Sequence, residues 1–133
     1  MKRIDLHVHT SASDGDLKPE ELVDLAVRNN LSAIAITDHD TISGVKEAIK
    51  YSLDKNIKII GGVELSCFDE NFTSFDIHLL GLFIDLKNED FNKFLNIQKE
   101  ARKNQKKAII EKLNKLGYKI SFDELKKEVG DSF

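Results

Sequence analysis

Ile4-Asp5-Leu6-His7-Val8-His9-Thr10 is the stretch whose reading decides the fold. Ile4, Leu6 and Val8 alternate with Arg3, Asp5, His7 and His9, which is the period of a β-strand over residues 3–9. The alternation predicts two opposite faces. The apolar one suits a covering helix, whereas the other is polar along its whole length, an unusual feature of a strand in a small domain. A buried row of Asp, His and His needs something to satisfy it. A metal cation does so, and the plainer alternative is a pair of unrelated core histidines bonded to backbone carbonyls.

Working outward, Thr10 to Lys18 reads as a loop rich in Ser, Asp and Gly. Pro19 opens a helix with Glu20 and Glu21 in its first turn, where proline is tolerated and acids favour the helix dipole. Leu22, Leu25 and Ala26 form its apolar stripe. Ala33-Ile34-Ala35-Ile36 is the continuous apolar run of a parallel strand covered on both faces, and it ends in Thr37-Asp38-His39-Asp40. Val45, Ala48, Ile49 and Leu53 mark a second helix. Ile57 to Val63 reads as a third strand ending at Glu64, and Phe75 to Ile84 as a fourth carrying Asp76 and His78 on one face. The β-α-β-α-β order with short connections predicts an α/β fold with a parallel sheet, open or barrel-like. Sites in such folds lie at the carboxyl ends of the strands, where His9, Asp38-His39 and Glu64 fall.

After Asn88 the pattern changes. Phe91, Phe94, Leu95, Ala101, Ala108, Ile109, Leu113 and Leu116 recur at helical spacing before Gly117. Ser121 and Glu124 form a capping-box pattern for a short last helix. Charge shifts at the same place. Residues 1–85 hold 8 Lys/Arg against 15 Asp/Glu and all four histidines, whereas residues 86–133 hold 12 against 8 and no histidine. The shift near Asp85–Asn88 is therefore the expected internal boundary, with a helical insertion or lid beyond it.

At 133 residues, 41% hydrophobic and 32% charged, the chain fits one globular domain and not a disordered segment. No apolar run is long enough to span a bilayer, Arg3 and Asp5 interrupt any signal-peptide core, and no membrane partner is expected. The single cysteine, Cys67, excludes an internal disulfide and suits a reducing cytoplasm.

The candidate metal ligands are His7, His9, Asp14, His39, Glu64 and His78, with Asp5, Asp38, Asp40 and Asp76 as candidate partners behind them. Imidazole and carboxylate without thiolate suit Zn²⁺, Mn²⁺ or Fe²⁺, unlike a closed structural zinc site. Six candidates exceed the ligand set of one zinc ion, and a carboxylate such as Glu64 can bridge two ions. Clustered ions are a recurrent solution for phosphoester hydrolysis, in which a metal-bound hydroxide attacks phosphorus. No catalytic residue is separable from the metal ligands, and no nucleophile–base pair stands out. Asp5 and Asp38 lie close enough in sequence to His7 and His39 to orient those imidazoles.

DLHVHT near the N-terminus, ITDHD one βα unit later, GVELS after the third strand and IHLLG in the fourth resemble the successive motifs of the PHP (polymerase and histidinol phosphatase) family. The spacing, with the KPEELVDLA helix after the first loop, looks most similar to its TrpH/YciV-like branch, which includes nucleoside-bisphosphate phosphatases and 5′-to-3′ exoribonucleases acting on short RNA. The resemblance covers residues 2–84 specifically and 88–130 loosely. It implies a distorted β/α barrel with a trinuclear metal centre. Residues 1–87 would be the N-terminal part of the metal-binding domain, and 88–133 a lysine-rich helical insertion. His7 and His9 would hold one ion, and Asp14 and His39 a second. Glu64 would bridge to the first ion, and His78 would hold the third with Glu64. The family pattern continues with further strands and a later histidine motif, so this sequence is expected to correspond to the N-terminal portion and to be inactive or weakly active alone.

The expected function is that of a metal-dependent phosphoesterase acting on a phosphorylated small molecule or a short nucleic acid. Two alternatives belong to other classes. One is a non-catalytic module binding metal or a partner. The other is a nucleic-acid binder using Lys99, Arg102, Lys103, Lys106 and Lys107, of which Arg102, Lys103 and Lys106 are candidate substrate contacts. No aromatics interleave these lysines, so base stacking finds no support. An exposed sheet edge favours self-association.

Overall fold

The computed structural model describes residues 2–67 and 77–129. In chain order its elements are β1 (Arg3–Val8), α1 (Pro19–Arg28), β2 (Leu31–Ile36), α2 (Ser43–Tyr51), β3 (Lys58–Cys67), β4 (Ile77–Leu82), α3 (Glu89–Lys115) and α4 (Phe122–Val129). The chain forms two compact units, Met1–Lys87 and Asn88–Phe133.

In the first unit the strands lie in the order β1-β2-β3-β4 and form a curled half-barrel sheet. Local chemistry sets the helices between them. Pro19 starts α1, and the Glu21 carboxylate accepts the Lys18 backbone N–H at 2.9 Å. Asn30 then takes a left-handed turn at φ 56°, which its short polar side chain tolerates, and the chain enters β2. α2 ends at Tyr51, so Leu53 lies beyond the helix that its spacing suggests and is largely exposed.

Ala33 to Ile36 are all buried, and they face two different clusters. Ile34 and Ile36 pack with Val23 and Ala26 of α1 and Val45 and Ala48 of α2. Ala33 and Ala35 face the other side with Ile60. This inner face carries the site, because Glu64 shares the strand parity of Ile60.

The expectation that Ile4, Leu6 and Val8 share one helix-covered face is corrected. Asp5 pairs with Ile34 and Val8 with Ile36, so three residue steps on β1 oppose two on β2. That register shift reverses the alternation. Val8 packs with the helix-side cluster, Leu6 with the inner one, and Ile4 is exposed.

β1, β2 and β3 run parallel, as the alternation of strands and helices dictates. β4 instead returns antiparallel along β3, with Glu64 opposite Leu80 and Ser66 opposite His78. A parallel return needs a crossover of about a dozen residues or more. Only residues 68–76 separate Cys67 from Ile77. Phe75 and Asp76, which the sequence places in this strand, lie outside the described residues.

In the second unit Asn88 caps α3 by accepting the Phe91 N–H at 2.9 Å. Gly117, at φ 95°, closes the chain after it. Asn114 exchanges two hydrogen bonds with the Ile120 backbone, at 2.7 and 3.1 Å. Ser121 and Glu124 form the reciprocal cap of α4: each backbone N–H donates to the other's side chain, both at 3.1 Å. Among the described residues no helix is long and apolar enough to cross a membrane.

Candidate metal centre

The ends of the parallel strands are tied together by backbone bonds. Thr37 N–H donates to Val8 O at 2.9 Å, joining β2 to the end of β1. Asp40 N–H donates to Glu64 O at 3.0 Å and Glu64 N–H to Asp38 O at 3.2 Å, which sets His39 beside Glu64. Pairing of Ser66 with His78 brings β4 to the same place.

His7, His9, Asp14, His39, Glu64 and His78 converge there. The buried Glu64 carboxylate is the hub. Its Oε2 lies 2.8 Å from His7 Nε2, 3.0 Å from His9 Nε2 and 3.8 Å from His39 Nε2. Its Oε1 lies 2.8 Å from His78 Nδ1. Asp14 extends the cluster, with Oδ1 3.0 Å from His9 Nδ1 and Oδ2 3.6 Å from His39 Nε2. Successive rings from His7 through His9 and His39 to His78 stand 5.1, 4.9 and 4.8 Å apart. Burial pushes the Glu64 carboxyl up, but hydrogen bonds from His7 and His78 and the charge of His39 outweigh it, leaving Glu64 below its ordinary value.

Three overlapping groups have the geometry to hold a divalent ion: His7, His9 and Glu64; His9, Asp14 and His39; and His39, Glu64 and His78. The donor chemistry fits such ions. Both nitrogens of His9 face a carboxylate, Nε2 toward Glu64 and Nδ1 toward Asp14. In its neutral form, the form that binds metal, an imidazole has one N–H, so one nitrogen would point a lone pair at an anion. A cation held between nitrogen and carboxylate removes that conflict. Three protein ligands per group leave positions open for water or substrate, unlike a closed structural site.

The residues expected behind the ligands are placed differently from one another. Asp5 Oδ1 accepts the backbone N–H of His7 at 3.2 Å. Asp38 accepts from Thr10 and Ser13, in the loop after β1. Asp40 Oδ1 accepts the Ser66 N–H at 3.0 Å and so ties the β2 end to β3. Asp76 lies outside the described residues. Sequence reasoning passed over Thr10 and Ser13, both buried beside the cluster. Two hydroxyls directly after a histidine-bearing strand were the available signal.

Arg102, Lys103 and Lys106 belong to α3 in the second unit. Lys103 Nζ lies 3.9 Å from Glu100. Partial burial, and then the nearby Arg102 charge, hold Lys106 below the usual lysine value.

The PHP domain model matches residues 5–124. The chain belongs to the PHP domain family. It is 38% identical over 122 residues to the 5′-3′ exoribonuclease of Haemophilus influenzae, covering 92% of this chain and 43% of that protein. It is 39% identical over 85 residues to the 3′,5′-nucleoside bisphosphate phosphatase of Chromobacterium violaceum, covering 64% and 29%. A Bifidobacterium adolescentis protein described as a metal-dependent phosphoesterase superposes with a TM-score of 0.85 at 30% identity, over 98% of this chain and 44% of that one. This PHP chain thus spans 43% or less of the length of these curated relatives, which are named as hydrolases.

Proposed function

We propose that this PHP chain supplies a metal-binding face for hydrolysis of a phosphomonoester or a nucleotide phosphodiester. The substrate would be a phosphorylated small molecule or a short RNA, and the ions Mn²⁺, Zn²⁺ or Fe²⁺, up to three. The observation that carries this reading is the convergence of four imidazoles on Glu64, with Asp14 beside them. Bound divalent ions would supply a water ionised near neutral pH and positive charge for the phosphate oxygens.

The chain's own residues set the spacing. Glu64 directs Oε2 toward His7 and His9 and Oε1 toward His78, so one carboxylate fixes the separation of two positions. His9 couples the Glu64 side to the Asp14 side through its two nitrogens. Thr10 and Ser13, hydroxyls beside the cluster, both donate to Asp38 and so brace the loop after β1. Three overlapping groups of metal ligands favour direct attack by a metal-activated water over a covalent enzyme intermediate. The named activities of the exoribonuclease and bisphosphatase relatives support this substrate range.

The test is hydrolysis of a 3′,5′-nucleoside bisphosphate and of short RNA by the chelator-stripped chain, with and without added Mn²⁺ or Zn²⁺. Turnover that is weak in this chain alone, appears only with metal and is abolished by chelator is expected. Turnover that survives chelation, or a trapped phosphorylated residue, would overturn the reading.

A further inference from the structure

Asp38 is fully buried and carries three hydrogen bonds. Thr10 N–H donates to Oδ1 at 2.6 Å, Thr10 Oγ1 to Oδ2 at 2.7 Å and Ser13 Oγ to Oδ1 at 2.9 Å. The carboxylate lies against the first turn of α2, where a Cβ on Gly44 would collide with Asp38 Oδ2 and Thr10 Oγ1. No acidic side chain competes in that turn, and the helix N-terminus favours a negative charge. Asp38 is thus locked from behind and holds the loop after β1 in front.

Ser13 connects this lock to the site. The same Oγ, its one hydrogen given to Asp38, can accept from His9 Nδ1 at 3.4 Å and lies 3.2 Å from Asp14 Oδ1. Thr10 O also accepts the Ser13 and Gly15 N–H groups, at 3.1 and 3.0 Å, so the turn bearing Asp14 closes on the residue that Asp38 clamps. Asp14 itself is exposed, and its own packing does not set its direction.

We propose that Asp38 is a positioning residue acting through Ser13 and Thr10, one that aims Asp14 and His9 Nδ1 at His39. It thereby governs the His9–Asp14–His39 ion position separately from the two positions that share Glu64. The inference rests on the reading of the cluster as a metal centre. Asp38 touches no ligand atom in this scheme. It acts as a buried anchor for an exposed ligand, and loss of such outer partners costs about 10- to 100-fold in metal affinity.

The experiment uses the full chain, Mn²⁺ or Zn²⁺ alone as probe, and Ser13→Ala, Asp38→Asn and Thr10→Ser beside the unsubstituted protein. Equilibrium dialysis with elemental analysis counts ions and their affinities, and ring ¹⁵N spectra of the metal-free protein follow each histidine. For Ser13→Ala we expect one ion position weakened by about 10- to 100-fold with the others retained. In the metal-free spectra His9 and His39 should shift while His78 stays in place. Thr10→Ser, which keeps the hydroxyl, should behave as the unsubstituted chain. Asp38→Asn should reproduce Ser13→Ala or exceed it, and if it fails to fold, Thr10→Val, which removes a hydrogen bond to Asp38 and leaves Ser13 in place, should weaken the same position. Uniform weakening of every ion, no weakening, or equal shifts of His78 and His9 would overturn the positioning role while leaving the metal centre intact. An unsubstituted chain that binds no ion would overturn both.

Discussion

Glu64→Gln is the most informative perturbation of this chain. Glutamine keeps the size and one acceptor oxygen but removes the charge. The Glu64 carboxylate faces four imidazoles, with both oxygens engaged at 2.8 Å, and belongs to two of the three ligand groups. A closed four-ligand zinc site is worth roughly 10–16 kcal/mol, so one ligand contributes about 3 kcal/mol, or about a hundredfold in affinity. Two ion positions should each weaken by about that factor. The His9–Asp14–His39 position, which does not include Glu64, should weaken much less. Titration calorimetry with Mn²⁺ or Zn²⁺ resolves these classes. The pH dependence gives a second readout. The folded Glu64 pKa lies below its ordinary value. Its stabilising contribution is therefore present above the unfolded carboxyl pKa and is lost as pH falls through the folded one. Denaturant midpoints of the metal-free protein and of E64Q should converge on acidification through that window. Equal ion count and equal affinities in the two proteins would refute the argument that Glu64 is the shared hub.

Three further outcomes are expected. Gly44→Ala forces a methyl group onto Asp38 and Thr10, so it should cost about 1–3 kcal/mol in denaturant midpoint analysis, a loss that Ala at an exposed helical site would not give. If Arg102, Lys103 and Lys106 bind the phosphates of an RNA substrate, replacing each with Gln should reduce the slope of log affinity against log salt by about 0.7 for every phosphate no longer neutralised; an unchanged slope would assign them to the solvated helix surface. If β4 is an open edge that pairs with a second copy, sedimentation should show concentration-dependent association, and Leu79→Lys, at an exposed position on that strand, should abolish it.

Much of this was legible in the sequence. The apolar run Ala33–Ile36 announces a strand buried on both faces, and Pro19 and the Ser121–Glu124 pair mark helix starts that form as read. The six candidate ligands meet because each lies on, at the end of or just after a strand of one sheet, a consequence of topology that spacing alone conveys. Other features depend on cooperation between distant residues. The β1 register shift arises from pairing with β2, and no single-strand period reveals it. The return of β4 follows from the length of a connection, which weighs more than the preceding strand–helix rhythm. Asp38 reads locally as a partner for the adjacent His39. It serves Thr10 and Ser13 instead, which lie 28 and 25 positions away in the chain.

The central claim is that the histidines and carboxylates at the strand ends hold divalent ions for phosphoester hydrolysis. Anomalous diffraction from crystals grown with Mn²⁺ tests it most directly. Peaks are expected within metal–ligand distance of the His7–His9–Glu64 and His39–Glu64–His78 groups, with a further one at His9, Asp14 and His39. Absence of any peak within reach of Glu64 at saturating Mn²⁺, or peaks confined to surface carboxylates elsewhere, would contradict it.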